Sequence, residues 1–238
     1  MSHAWVTVCL ADSDADLHER LTIALEPHSP ENRIDFKWDE WSIAGGDSDQ
    51  ALHVRDAFTH DARIVRNPSY RMALPEWRCA GGPKWMLDLD TDRNAVHEAA
   101  RRHWDRWWEW ARGGPLAPPY EHLVEQPAAD HDRRARLDYV LRPAVDAWLA
   151  DGGDEAPRPW FADWYGVYGH DRDHYARLAS QRVNPTSALL QLDGRWLDDD
   201  DFGAINDSLR VPRYYAHADE YLLGLPEACW IVRLNVHY

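Results

Sequence analysis

Two groups of histidine and aspartate residues have spacings that metal-dependent hydrolases use. His170 and His174 are four residues apart, so on a helix they would share one face and could bind a divalent metal together with Asp171. The group lacks the glutamate of an H-E-x-x-H motif, and the alternative is a helix start that Asp171 caps, with His174 exposed. The pair His131 and Asp132 is typical of metal phosphohydrolases, which need further His and Asp ligands from separate helices.

Aromatic residues offer a different kind of site, because the chain contains 14 Trp. Trp at helical spacing is more often core, and Trp104 and Trp107 fit the apolar stripe of a predicted helix. Trp108 and Trp110 fall off that stripe and are therefore candidates for an interface. The complete predicted partner or ligand surface comprises Trp108, Trp110, Trp160, Trp164 and Tyr168.

The charge of the chain limits the classes of partner. Its 41 acidic and 26 basic residues give a net charge of −15, which argues against non-specific binding to a nucleic-acid backbone. Mimicry of DNA and simple solubility are the two interpretations of this acidity. A protein partner or self-association is the remaining expectation.

The cysteines and the apolar segments indicate the cellular compartment of the protein. Cys9, Cys79 and Cys229 form no C-x-x-C pair, which favours a reduced cytoplasm over a disulfide framework and excludes a zinc site of the Cys type. The N-terminal residues show no basic region followed by a cleavable apolar segment, and no apolar run approaches the ~18 residues that a membrane span requires. We expect a cytoplasmic protein without a membrane segment.

Strand-like patterns lie towards both ends of the chain. Apolar and polar residues alternate over residues 34–46, after a first strand and helix, and Asp193-Gly194 predicts a tight hairpin turn. Residues 47–83 predict mostly loop, with one short helix over residues 50–58. The predicted order is a strand at 5–10, a helix after residue 14, a strand at 34–46, a hairpin at 187–197, a helix at 218–225 and a strand at 228–237.

Helical patterns fill the middle of the chain. Apolar residues recur every three or four positions over residues 94–112, and weaker patterns predict helices at 130–150 and 171–182. We therefore predict a single α+β domain, with residues 1–83 and 184–238 as the sheet core and residues 84–183 as a helical insertion. The order β-α-β, insertion, β-α-β predicts a ferredoxin-like sheet built on the split βαβ pattern.

Several short motifs resemble a set of uncharacterised actinobacterial and actinophage proteins. The stretch from Trp38 to Gly46 is similar to their Trp-Asp-Trp-Tyr-x-Ile-Gly-Gly motif, Asp193-Gly194-Arg195-Trp196 is similar to their Asp-Gly-x-Trp hairpin, and His237 matches the histidine of their last strand. The Arg-Trp that follows their glycines is missing here. The resemblance implies a common fold and a phage or mobile-element setting, but no activity.

Two functions follow from these patterns. The first is a small binding or interaction protein that acts through its aromatic surface and needs no cofactor. The alternative is a metal-dependent hydrolase, phosphohydrolase or nuclease-like, that uses the His and Asp pairs with a divalent metal.

Overall fold

The chain forms two compact units. The first consists of Met1–Asp92 and Asn184–Tyr238, and the second of Arg93–Val183. A computed structural model describes residues 3–29, 31, 38, 40–44, 51–67, 74–113, 150, 171–204 and 210–237.

The described residues contain nine strands and four α-helices. The strands are β1 (His3–Leu10), β2 (Glu40–Ile43), β3 (Leu52–Val54), β4 (Arg78–Cys79), β5 (Gly81–Pro83), β6 (Leu87–Asp88), β7 (Ala188–Leu190), β8 (Trp196–Asp198) and β9 (Trp230–His237). The α-helices are α1 (Leu17–Leu25), α2 (Thr91–Gly113), α3 (Arg172–Ser180) and α4 (Arg210–Gly224), with 3-10 turns at Glu26–His28, Asp56–Phe58, Lys84–Met86 and Asp199–Phe202.

The main sheet of the first unit has the order β2-β9-β1-β7-β8. β9 pairs antiparallel with the whole of β1, and its other edge is shared by β2 at one end and β5 at the other. β1 and β7 are parallel, whereas β7 and β8 form the predicted antiparallel hairpin, with Gly194 at a φ of 83° in its turn. The chain is therefore an α+β protein, as the sequence predicts, and its main sheet is mixed.

The ferredoxin-like arrangement is not confirmed. A ferredoxin-like sheet places the strand that follows the first helix at the edge beside the third predicted strand, which is β7 here. In the structure β8 lies beside β7, and β2 pairs with β9 at the opposite edge of the sheet. β1 and β7 are parallel neighbours, with Val6 opposite Ala188 and Val8 opposite Leu190, and these four residues are buried in the apolar cluster that includes α1.

Two apolar clusters cover the two faces of the sheet. Val8 and Val232 belong to the cluster that includes Leu21 of α1. Their neighbours along the strands, such as Cys9 and Ile231, point to the opposite face and pack in the cluster that contains α4. The alternation of side chains along β1 and β9 thus places one helix on each face.

A buried lysine closes the C-terminal end of α4. The last carbonyls of a helix have no partner within it. Lys84 Nζ donates hydrogen bonds of 2.6 Å to the carbonyl oxygens of Leu223 and Leu225, and it lies 3.3 Å from the Glu227 carboxylate. The residue is only 8% exposed, so the ammonium group is held by these oxygens rather than by bulk water.

The segment predicted to be loop contains much of the second sheet. Residues 50–58 were expected to be helical, and this prediction is wrong: they contain β3 and a 3-10 turn. β3 pairs with β4 and β6 in a three-stranded sheet whose buried face carries Leu52 and Val54. The last helix begins at Arg210, earlier than predicted. Residues 34–37, 45–46 and 130–149 of the predicted elements lie outside the described residues.

Gly81 is required where β5 meets β9, and this can be tested. A Cβ at this position would lie 2.3 Å from the Ile231 carbonyl oxygen and 2.8 Å from Val232 Cα. Gly81→Ala should therefore destabilise the fold by about 1–3 kcal/mol, because backbone rather than a flexible side chain must move. A Cβ at Gly224, the last residue of α4, meets nothing within 4 Å.

Urea denaturation of the two variants provides the measurement. Gly224→Ala is the matched control and should change the free energy of unfolding by less than about 1 kcal/mol. Equal midpoints for Gly81→Ala and the parent protein would show that β5 does not pack against β9 as described.

Candidate functional site

α2 and α3 form the described core of the second unit. α2 buries Ala100, His103 and Trp107 along one stripe, and α3 buries Tyr175 and Ala176. The rings of His103 and Tyr175 lie 6.2 Å apart. The stripe recurs at intervals of three and four residues, which is the spacing that predicted this helix.

Ion pairs fasten α3 to α2 beside this stripe. Arg172 donates to Asp105 at 2.6 Å, and Arg101 Nε lies 3.4 Å from the Asp173 carboxylate. The hydrogen bond that Arg172 donates to Asp105 raises the pKa of the Arg172 guanidinium. These two ion pairs therefore join α3 to α2 along one side of the stripe.

Trp104 and Trp108 form a stacked pair on α2, which we name the tryptophan platform. Their ring centroids are 5.3 Å apart and their planes are inclined by only 17°. Trp108 is 45% exposed, an unusual value for the largest apolar side chain. Among the side chains that the structure describes, which do not include those of residues 111–113, Trp104 is the only ring on Trp108 and no guanidinium group lies over it.

The predicted aromatic surface is only partly described. Trp110 is half-buried, and its ring lies 5.5 Å from that of the buried Trp107, so it faces the helix stripe more than Trp108 does. Trp160, Trp164 and Tyr168 lie outside the described residues. Of the two predicted residues that the structure describes, Trp108 and Trp110, Trp108 is therefore the one with an exposed side chain.

The proposed metal ligands on α3 have other roles. The Asp171 carboxylate caps the helix by accepting hydrogen bonds from the backbone N–H groups of Asp173 and His174, at 3.1 and 2.9 Å. His174 Nδ1 lies 2.8 Å from the Arg177 guanidinium, and burial and this cation lower the His174 pKa. His170, His131 and Asp132 lie outside the described residues. Among the residues that are described, no three His, Cys, Asp or Glu side chains are grouped as a metal site requires.

A second cluster, not found from the sequence, lies on the three-stranded sheet of the first unit. Arg78, His53 and Asp88 are directly opposite one another across β4, β3 and β6, and we call them the histidine row. Asp92, in the first turn of α2, lies beside the row: it forms an ion pair with Arg78, and its Oδ1 is 3.6 Å from His53 Nδ1. The sequence signal was the position of His53 between two apolar residues of β3.

His53, in the middle of the histidine row, is partly open to solvent. Its side chain is 21% exposed, while its Nδ1 atom is buried. Trp77 flanks the row, with its ring 5.1 Å from that of His53 and 4.7 Å from the Arg78 guanidinium.

The carboxylate of Asp88, at the end of the histidine row, accepts hydrogen bonds from residues at the start of α2. Burial acts to raise its pKa, but hydrogen bonds from the Thr91 hydroxyl and from the N–H groups of Thr91 and Asp90 outweigh burial and lower that pKa overall. The two N–H groups donate to Asp88 Oδ1 at 2.9 and 3.0 Å. Asp88 therefore closes the turn that leads from β6 into α2, two residues before the N-cap position of that helix.

No family model matches the chain, and neither a curated protein nor a solved structure matches it. The resemblance to actinobacterial and actinophage proteins accordingly receives no support from these comparisons. In the part of the chain that the structure describes, no helix is long and apolar enough to cross a membrane.

The hydrogen bonds that Asp88 accepts predict a pH-dependent loss of stability. Asp88→Ala should cost about 1 kcal/mol at pH 7, because the N–H groups of Asp90 and Thr91 lose a charged acceptor. Because the pKa of Asp88 is lower in the folded chain, its contribution is complete above the unfolded value of about 3.9 and disappears as the pH falls through the folded value. The difference between Asp88→Ala and the parent protein should therefore shrink between pH 7 and pH 3.

Chemical denaturation at both pH values measures this difference. Asp88→Asn, which keeps an acceptor for the N–H groups but carries no charge, is the control and should lose only a few tenths of a kcal/mol at pH 7. A difference for Asp88→Ala that stays constant down to pH 3 would contradict the role of the ionised carboxylate.

Proposed function

We propose that this chain is a binding protein whose partner is another protein and whose contact surface is the tryptophan platform. The observation that carries the proposal is the 45% exposure of Trp108 on a ring that is stacked on Trp104. A stacked Trp is held in one orientation before binding, so little side-chain freedom is lost on association. Trp is also among the residues that contribute most to binding energy at protein interfaces.

The setting that we propose is a reducing compartment such as the cytoplasm. Cys9, Cys79 and Cys229 are all free thiols, and all three are buried. Burial raises the pKa of the Cys79 thiol to about 11, so it is protonated and unreactive at neutral pH. The alternative of a metal-dependent hydrolase gains no comparable observation, since Asp171 and His174 are engaged in capping and in a contact with an arginine.

Replacement of Trp108 separates a binding role from a packing role. Trp108→Ser should remove partner binding while leaving the chain folded, because the side chain gives up only its stacking contact, worth about 1 kcal/mol. Trp77→Ser is the matched control, since Trp77 is 44% exposed and lies in the first unit. Its binding should equal that of the parent protein.

The measurement has two parts. A partner recovered with the parent protein is identified, purified and titrated by calorimetry against the parent, Trp108→Ser and Trp77→Ser, and each protein is melted in parallel. Equal affinity for Trp108→Ser and the parent would refute the proposal. A fall of more than about 10 °C in the melting temperature of Trp108→Ser would also refute it, because the side chain would then be part of the core.

A further inference from the structure

We draw no further inference here: the strongest candidate, the histidine row on the three-stranded sheet with the exposed ring of Trp77 beside it, carries none, because the guanidinium and carboxylate groups of the row are already paired or hydrogen-bonded within the chain and nothing in the part of the chain that the structure describes shows which ligand or partner would cover the Trp77 ring.

Discussion

The buried guanidinium of Arg233 is the constraint on which the first unit depends. Its backbone N–H donates to the Ala80 carbonyl at 2.7 Å, and its carbonyl accepts from the Ala44 N–H at 2.9 Å, so Arg233 marks the point where β5 and β2 meet along β9. Its side chain donates to the Asn184 carbonyl at 2.7 Å, and Asn184 in turn donates to the Leu89 carbonyl at 3.0 Å. In the sequence, Leu89 lies shortly before the second unit and Asn184 directly after it. The hydrogen bond between them therefore holds together the two ends of the first unit's chain between which the second unit is inserted.

Burial of this charge carries a cost that the rest of the network must offset. Burial lowers the pKa of Arg233 to about 10, which still leaves the group charged at neutral pH. A charged group that loses its partners in such a place is strongly destabilising, so the surrounding polar groups are fixed in turn. The Thr7 and Thr186 hydroxyls are 2.8 Å apart, and the Tyr214 hydroxyl donates to the Thr186 carbonyl at 2.9 Å. The sheet and α4 are thus joined by a polar layer as well as by apolar contacts.

The sequence predicted the elements whose signals are local. The Asp193-Gly194 turn, the long helix α2 and the last strand were identified because a turn dipeptide, a helical stripe and a continuous β-branched run each lie within one segment. The short strands β3 to β6 have two or three residues, too few for a period to be recognised. The sheet of β3, β4 and β6, and the pairing of β5 with β9, depend on contacts between residues far apart in the chain.

The residues of the candidate sites also differ in whether local sequence alone can identify them. Trp108 could be chosen from its position off the helix stripe, which is a local property. The histidine row could not, because His53, Arg78 and Asp88 become neighbours only through the register of three strands. The burial of Arg233 could not be predicted either, because the sequence of β9 does not show which residues pack against it. The contact with Asn184 joins residues that are far apart in the sequence.

The account of function depends most directly on whether the Trp108 ring is open to solvent. Fluorine NMR of protein labelled with 5-fluorotryptophan can measure this, with the resonances of Trp108, Trp77 and Trp107 assigned from variants in which each is replaced by Phe. The solvent isotope shift between H2O and D2O should be similar for Trp108 and Trp77, which are 45% and 44% exposed, and clearly smaller for Trp107, which is 4% exposed. A shift for Trp108 as small as that of Trp107 would contradict the account, because the platform would then be covered within the protein itself.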